Sequence, residues 1–340
     1  MRFFSIKPTA RIWMFLALLL IFLSTGLLSG PTGAQDATPV SVGGPHADLT
    51  ALLATCDSIF GVVLIDANDQ VVFEHNADVP FVTASLYKLV LLVETLTRVE
   101  SGELSLNQTL EIFPEYFEDG NGEDSFFIAD VIGSEATLEE LIYSSGAYSS
   151  NVGAQGLLSL TSIDRLDAFA RQLGLVSTRY RVESDDVADL YAGTNGAAGF
   201  EDLSRAKAFV GSFAGSTHVN ITTPRDMATF FRLLRDDLLV SSLVSWRMKS
   251  VLSPSVINDR IAALLPVDAM VIHKTGNLDG VLHDAGIVET AGGAAIVVAM
   301  AQAVTDLDQT FAVEQRLGLM AFELTLPRNR DSTPEALPAG

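Results

Sequence analysis

Strand-like runs stand near both ends of this chain, and a long, mainly helical stretch lies between them. Phe60 to Asp66 and Val71 to His75 are apolar and β-branched, and Ala67-Asn68-Asp69-Gln70 reads as the turn joining them. Strand character returns at Met270 to Lys274, His283 to Thr290 and Ala294 to Ala301, with turns at Asp279-Gly280 and Gly292-Gly293. Asp48 to Ser58 has helical periodicity, helical patterns dominate to about Leu239, and a last amphipathic helix runs from about Leu307 to Leu326. Within the helical stretch, Thr137-x-x-Glu140 is a capping box, Gly174 a stop signal, and Thr223-Pro224 a cap followed by a first-turn proline. The economical arrangement is an α/β chain of the α+β kind. One five-stranded antiparallel sheet is drawn from both ends and flanked by helices, and a mostly helical subdomain of about residues 90–240 is inserted in it. Clefts between such halves are where sites form.

The first 34 residues read as a secretion signal: Arg2, Lys7 and Arg11 precede the apolar run Ile12 to Leu23, and Thr32-Gly33-Ala34 offers small residues for cleavage. Export to the periplasm or the exterior is expected. An uncleaved anchor is the alternative, and the membrane would then be touched only through this segment. Residues 35–47 read as a linker, 48–326 as the catalytic domain and 327–340 as a polar tail. A formal charge of −21 repels nucleic acid and anionic lipid, so neither is an expected partner. Cys56 is the one cysteine, which excludes an intrachain disulfide and suits a small core residue. His46, His75, His218, His273 and His283 show no metal-ligand spacing, and no G-x-S-x-G elbow is present. A monomer without metal or cofactor is expected.

Three signatures fall near the boundaries of the inserted stretch: Ser85-Leu-Tyr-Lys88, Ser149-Ser-Asn151 and Lys274-Thr275-Gly276. In this order they describe a serine acyl-transfer site. Ser85 opens the apolar run Leu86 to Leu96, whose helical N-terminus favours an alkoxide and offers a backbone N–H. Lys88 shares its face, and a desolvated lysine beside a second cation would have a lowered pKa and act as a base. Ser149 and Asn151 open the next helical run, where a hydroxyl relays a proton to a leaving nitrogen and an amide holds a substrate carbonyl. Ser144, Ser145 and Ser150 crowd the same stretch and leave that assignment open. Lys274 and Thr275, on an expected edge strand, suit a carboxylate, and Gly276 lets a substrate approach the backbone. A second Ser-x-x-Lys stands at Ser204-Arg-Ala-Lys207, but in a Gly/Ala/Ser-rich loop without the strand and helix context. The chain has only five lysines, and two of them fall in the signatures.

From about Leu49 to Leu326 the chain resembles the class A serine β-lactamases and their penicillin-binding relatives. Beyond the three motifs, the likeness rests on Asn76-Ala-Asp78 through Phe81 to Ala84-Ser85, on Leu138-Glu-Glu-Leu141, on Thr222-Thr-Pro224 with Met227-Ala228, and on His283-Asp284. The interval from Leu141 selects Ser149 over the earlier serines. The resemblance implies Ser85 as nucleophile, Lys88 as activating amine, Ser149 as proton shuttle and Asn151 as the amide that binds substrate. It further implies Lys274 and Thr275 as carboxylate binders, with the backbone N–H groups of Ser85 and Asn277 as the oxyanion hole.

The departures from the family pattern bear on the fate of the acyl-enzyme. Ser150 replaces the family's usual aspartate, and Gln155 stands where asparagine is common. Arg181-Val182-Glu183 matches the first half of the family's Arg-x-Glu-x-x-Leu-Asn setting, but Asp186-Val187 replaces Leu-Asn, and the segment 184–221 is longer than usual. If Glu183 activates water, the substrate is a β-lactam whose amide is hydrolysed. If it does not, the adduct persists, as in a penicillin-binding protein or D,D-peptidase acting on peptidoglycan-like peptides. A non-catalytic module that binds wall fragments or lactams is the reading from another class, and the presence of Ser85 and Lys88 opposes it.

Overall fold

In a computed structural model, the described residues are 45–117, 124–192, 200–215 and 218–326. The expected signal segment, most of the linker and the polar tail lie outside them. The chain enters through helix α1 (Pro45–Leu53), strands β1 (Ile59–Ile65) and β2 (Val71–His75), and the short strand β3 (Phe81–Val82). A 3-10 turn at Ala84–Tyr87 leads into α2 (Lys88–Glu100), followed by β4 (Thr109–Glu111), β5 (Glu135–Thr137), α3 (Leu138–Ala147), α4 (Asn151–Leu158) and α5 (Ile163–Gln172). Next come β6 (Arg179–Val182), α6 (Val187–Leu190), α7 (Phe200–Ala214), β7 (Val219–Thr222), α8 (Pro224–Arg235) and α9 (Ser242–Leu252). Strands β8 (Met270–Leu278), β9 (Val281–Thr290) and β10 (Gly293–Gln302), then helix α10 (Leu307–Thr325), close the order.

The expected sheet forms in the order β2-β1-β10-β9-β8, antiparallel throughout, so both ends of the chain meet where β1 pairs with β10. Side chains alternate across a strand, and the run Ile-Phe-Gly-Val-Val-Leu-Ile of β1 is buried on both faces. Ile59, Val63 and Ile65 enter the larger core with Leu89 to Val93 of α2 and with Phe230 and Phe231 of α8. Phe60, Val62 and Leu64 enter a second core with Leu49 and Leu53 of α1 and with Val313 and Leu317 of α10. At Gly61 a Cβ would lie 2.4 Å from Pro224 Cγ, so the absence of a side chain lets the start of α8 rest on the sheet.

Several boundaries differ from those expected on sequence. Helix α1 begins at Pro45, inside the expected linker, and stops at Leu53 rather than Ser58. Strand β8 continues past Lys274 to Leu278, carrying the whole Lys-Thr-Gly signature on a sheet edge. The inserted stretch also holds strands: β7 and β6 make a three-stranded sheet with β3, which precedes the stretch, and β4 pairs with β5. The long segment 184–221 holds the 15-residue helix α7 as well as α6 and the start of β7. Ser204 and Lys207 therefore sit on a helix, not in a loop, and both are exposed. Cys56 is a free thiol at the margin of the second core, 3.8 Å from Thr310 Oγ1, rather than within it. The capping box is present, with Glu140 N–H donating to Thr137 Oγ1 and Thr137 N–H donating to Glu140. Among the described residues no helix is long and apolar enough to cross a membrane.

His283 ties the main sheet to the chain just before Ser85. Its Nε2 lies 2.7 Å from Val82 O, while Nδ1 lies 3.1 Å from Ala301 N and 2.8 Å from Leu282 O. Burial pushes the imidazole down to about 4, against the Val82 and Leu282 carbonyls, which favour the cation. Because the unfolded chain binds this proton near pH 6.5 and the folded chain only near 4, stability is lost as pH falls through that window. Between about pH 7.5 and about pH 4.5 the parent is expected to lose about 2–3 kcal/mol more than His283→Gln. Urea unfolding of both proteins at the two pH values measures this, and equal losses would remove His283 as the cause.

Candidate active site

The turn that carries Ser85 is held from three sides. Thr83 N–H donates to Asn220 O of β7, Leu86 N–H donates to Thr83 O, and the edge of β8 lies against it at Gly276. A Cβ on Gly276 would sit 3.1 Å from Thr83 O, 3.1 Å from Ala84 Cβ and 3.3 Å from Ser85 N, so a side chain here would push the Ser85 turn back by a few tenths of an ångström. Ala84 is left-handed at φ +44°, a strained backbone that persists because its surroundings fix it. Ser85 is thus the second residue of a 3-10 turn, and α2 starts at Lys88 rather than at Leu86.

Lys88 is fully buried. Its Nζ donates to Ser149 O at 2.5 Å and to Asn151 Oδ1 at 2.6 Å, joining the first signature to the second. Lys274, 2% exposed, joins the second to the third, its Nζ donating to Ser149 Oγ at 2.7 Å and to Thr275 O at 2.9 Å. Burial holds the Lys274 ammonium well below the ordinary lysine range. The Lys88 charge and Arg260 push the same way, and Asp284 opposes them. Ser149 is left-handed at φ +58°, which presents its carbonyl to one lysine and its hydroxyl to the other.

Ser150 is the buried N-cap of α4, its Oγ accepting from Gly153 N–H at 2.9 Å. A cavity of about 500 Å³ opens over these elements and is lined in part by Ser85, Tyr87, Asn151, His218, Asn220 and Asn277. Thr275 is buried, and Asn277, which lines the cavity, is exposed. Of the expected site residues, Ser85, Asn151 and Asn277 line this opening; Lys88, Ser149 and Lys274 are joined to Asn151 and to one another by the hydrogen bonds above, and Gly276 lies against the Ser85 backbone.

Glu183 is the exception. It follows β6 with its side chain 69% exposed, and its Oε1 lies 3.6 Å from Nε2 of His218. It does not line the Ser85 cavity; His218 stands between, on that cavity's wall. A separate cavity of about 500 Å³, lined by residues including Asp78, Asp167, Arg179 and Tyr180, contains no residue of the three signatures, although Arg181 and Val182 of the Arg-x-Glu fragment line it. Sequence reasoning missed His218, Asn220 and Asp124, whose roles depend on contacts between distant segments. Only the absence of the family's aspartate at Ser150 pointed toward the last. Among the described residues no group of His, Cys, Asp and Glu is arranged to hold a metal ion.

No curated protein sequence matches the chain. Among solved structures, a beta-lactamase from Sphaerobacter thermophilus superposes with a TM-score of 0.66 at 20% identity, covering 82% of this chain and 96% of its own. An ancestral class A beta-lactamase reaches 0.65 at 24% identity, covering 82% and 98%. PBP-A, in its L158E mutant as an acyl-enzyme complex with penicillin G, reaches 0.65 at 18% identity, covering 82% and 94%. At these identities the likeness establishes the fold. The family model described as the beta-lactamase enzyme family matches residues 45–324. The chain belongs to the beta-lactamase enzyme family, and it is a serine hydrolase of that family.

Proposed function

We propose that this protein hydrolyses β-lactams by a class A-like mechanism through an acyl-enzyme on Ser85. The observation that carries the proposal is the chain of contacts in which buried Lys88 and buried Lys274 grip the two sides of Ser149 beside the Ser85 cavity. Lys88 in its amine form takes the Ser85 proton as Oγ bonds to the lactam carbonyl carbon. The carbonyl oxygen gathers negative charge and accepts from the backbone N–H groups of Ser85 and Asn277. As the ring C–N bond breaks, the Ser149 hydroxyl passes its proton to the lactam nitrogen and recovers one from the lysine pair. Lys274 and Thr275 hold the substrate carboxylate, and Asn151 donates from its amide nitrogen to the substrate's side-chain carbonyl. The basic, apolar, small-residue order of residues 1–34 supports export.

Hydrolysis of the ester then needs a base for water. Glu183 reaches the cavity wall through His218, and this pair is the base assigned to that step. The exposure of Glu183 favours a second reading, in which water is poorly activated and the adduct persists as in a penicillin-binding protein. Intact-protein mass spectrometry after a brief penicillin pulse separates the two. The parent is expected to gain the mass of one penicillin and lose it within seconds to minutes, while Glu183→Ala and His218→Ala each retain it about 100-fold longer. A long-lived adduct on the parent favours the second reading, and rapid clearance by both variants removes the pair as base.

A further inference from the structure

The turn that carries Ser149 and Asn151 has no acid of its own, because Ser150 occupies its middle position. An acid from another segment fills the space beside it. Asp124 Oδ1 accepts from Asn151 N–H at 2.8 Å and from Val152 N–H at 3.2 Å, the first two N–H groups of α4. Its Oδ2 accepts from Ser150 Oγ at 2.7 Å and from the N–H groups of Phe126 and Phe127 at 3.0 and 3.1 Å.

Five donors therefore converge on one half-buried carboxylate, three of them from the catalytic turn. A helix start leaves its first N–H groups without helical acceptors and favours negative charge. Ser150 serves Gly153 only, so the two N–H groups before it are served by Asp124. Burial pushes this carboxyl up, but the Ser150 hydroxyl and the backbone donors outweigh it and hold the group below the ordinary aspartate value. It stays ionised throughout the neutral range.

We infer that Asp124 is a positioning residue for acylation: it replaces, from a separate loop, the carboxylate missing between Ser149 and Asn151, and so fixes Ser149 Oγ and the Asn151 amide on their lysine partners. This rests on the proposed acylation of Ser85. A turn with a left-handed residue at Ser149 relaxes when it loses these acceptors, and a displacement of about 1 Å at a reacting group costs about 100-fold in rate.

The test exchanges the two residues. Asp124→Ser and Ser150→Asp are each made alone and then together, with Asp124→Asn as a second single variant in case Asp124→Ser does not fold. Acylation by a chromogenic cephalosporin is measured at saturating substrate, and the labelled fraction counts the folded sites. Asp124→Ser and Asp124→Asn are each expected to lower the acylation rate constant about 30–100-fold per labelled site, and the exchanged pair to recover to within about 5-fold of the parent. A merely structural role would lower the labelled fraction and leave the rate constant per site unchanged, and that result overturns the inference. Melting temperature gives an arm that needs no substrate: Asp124→Ser lowers it by about 3–6 °C and the exchanged pair restores most of the loss. A parent that is never acylated refutes the proposed function, and the melting arm then decides whether Asp124 holds the turn. Additive losses in the pair, without recovery, refute the holding role itself.

Discussion

Ser85→Ala is expected to abolish covalent labelling by a fluorescent penicillin and to lower hydrolysis by at least about 10⁴-fold, with the fold intact. The size of the loss reflects the chemistry: without an oxygen at this position no ester forms, and only the oxyanion hole and substrate binding remain to act on water. The intact fold reflects the way the turn is held. Thr83 N–H to Asn220 O, Leu86 N–H to Thr83 O, His283 against Val82 O and the Gly276 contact all engage backbone atoms, which alanine preserves. Ser204→Ala is the internal control. Its Ser-x-x-Lys pattern is the same, but Ser204 and Lys207 are both exposed on α7, whereas Lys88 is buried against two acceptors. Labelling that persists in Ser85→Ala, or disappears in Ser204→Ala, moves the nucleophile elsewhere. Near-ultraviolet circular dichroism of both variants checks that packing is unchanged.

The contrast between these two serines shows how much a sequence can carry. Strands β1, β2, β8, β9 and β10 are legible because each is an apolar run bounded by turn residues, and five such runs at two ends of a chain leave few ways to pair. Strands β3, β6 and β7 are two to four residues long, too short for any periodicity to register, yet β7 accepts the Thr83 N–H just before Ser85. Helix α7 carries Ala, Phe and Ser among its charged residues, and the sequence before it is rich in Gly and Ala, so its helical signal did not separate from that composition.

The site divides along the same line. Ser85 and Lys88 are one helical turn apart, and β8 carries Lys274 to Gly276, so local spacing finds them. Asp124 is one of 42 acidic residues, and only the fold brings it to Ser150. For Glu183 the Arg-x-Glu pattern gave position without direction. Arg181 is left-handed at φ +52° and its N–H donates to Asn220 Oδ1, at a register shift between β6 and β7; Val182 then packs into the core, while Glu183 is exposed and meets His218 rather than the cavity.

Lys88→Met is expected to lower the acylation rate about 10³- to 10⁴-fold while changing folding stability by less than about 2 kcal/mol. Methionine keeps the length and most of the volume of the side chain, so the core around Leu89 and Leu92 stays filled. Two opposing terms act on stability. Ser149 O and Asn151 Oδ1 lose a charged donor, which costs about 1–3 kcal/mol each. Against this, an ammonium no longer has to be stripped of water beside the second buried cation, and that penalty is several kcal/mol. In the proposed mechanism catalysis has no such offset, because Lys88 is the base assigned to the Ser85 proton. Lys274 supplies the second readout. The Lys88 charge is one of the causes that hold it well below the ordinary range, so its ammonium becomes easier to protonate once that charge is removed. Non-covalent binding of a lactam carboxylate, which the proposed mechanism assigns to protonated Lys274, should then persist to higher pH in Lys88→Met than in Ser85→Ala, where Lys88 remains. Calorimetric titration of both variants across the alkaline range measures this. An unshifted alkaline limb would mean that the two lysines do not share an electrostatic environment, and undiminished acylation would mean that the proton of Ser85 leaves by another route.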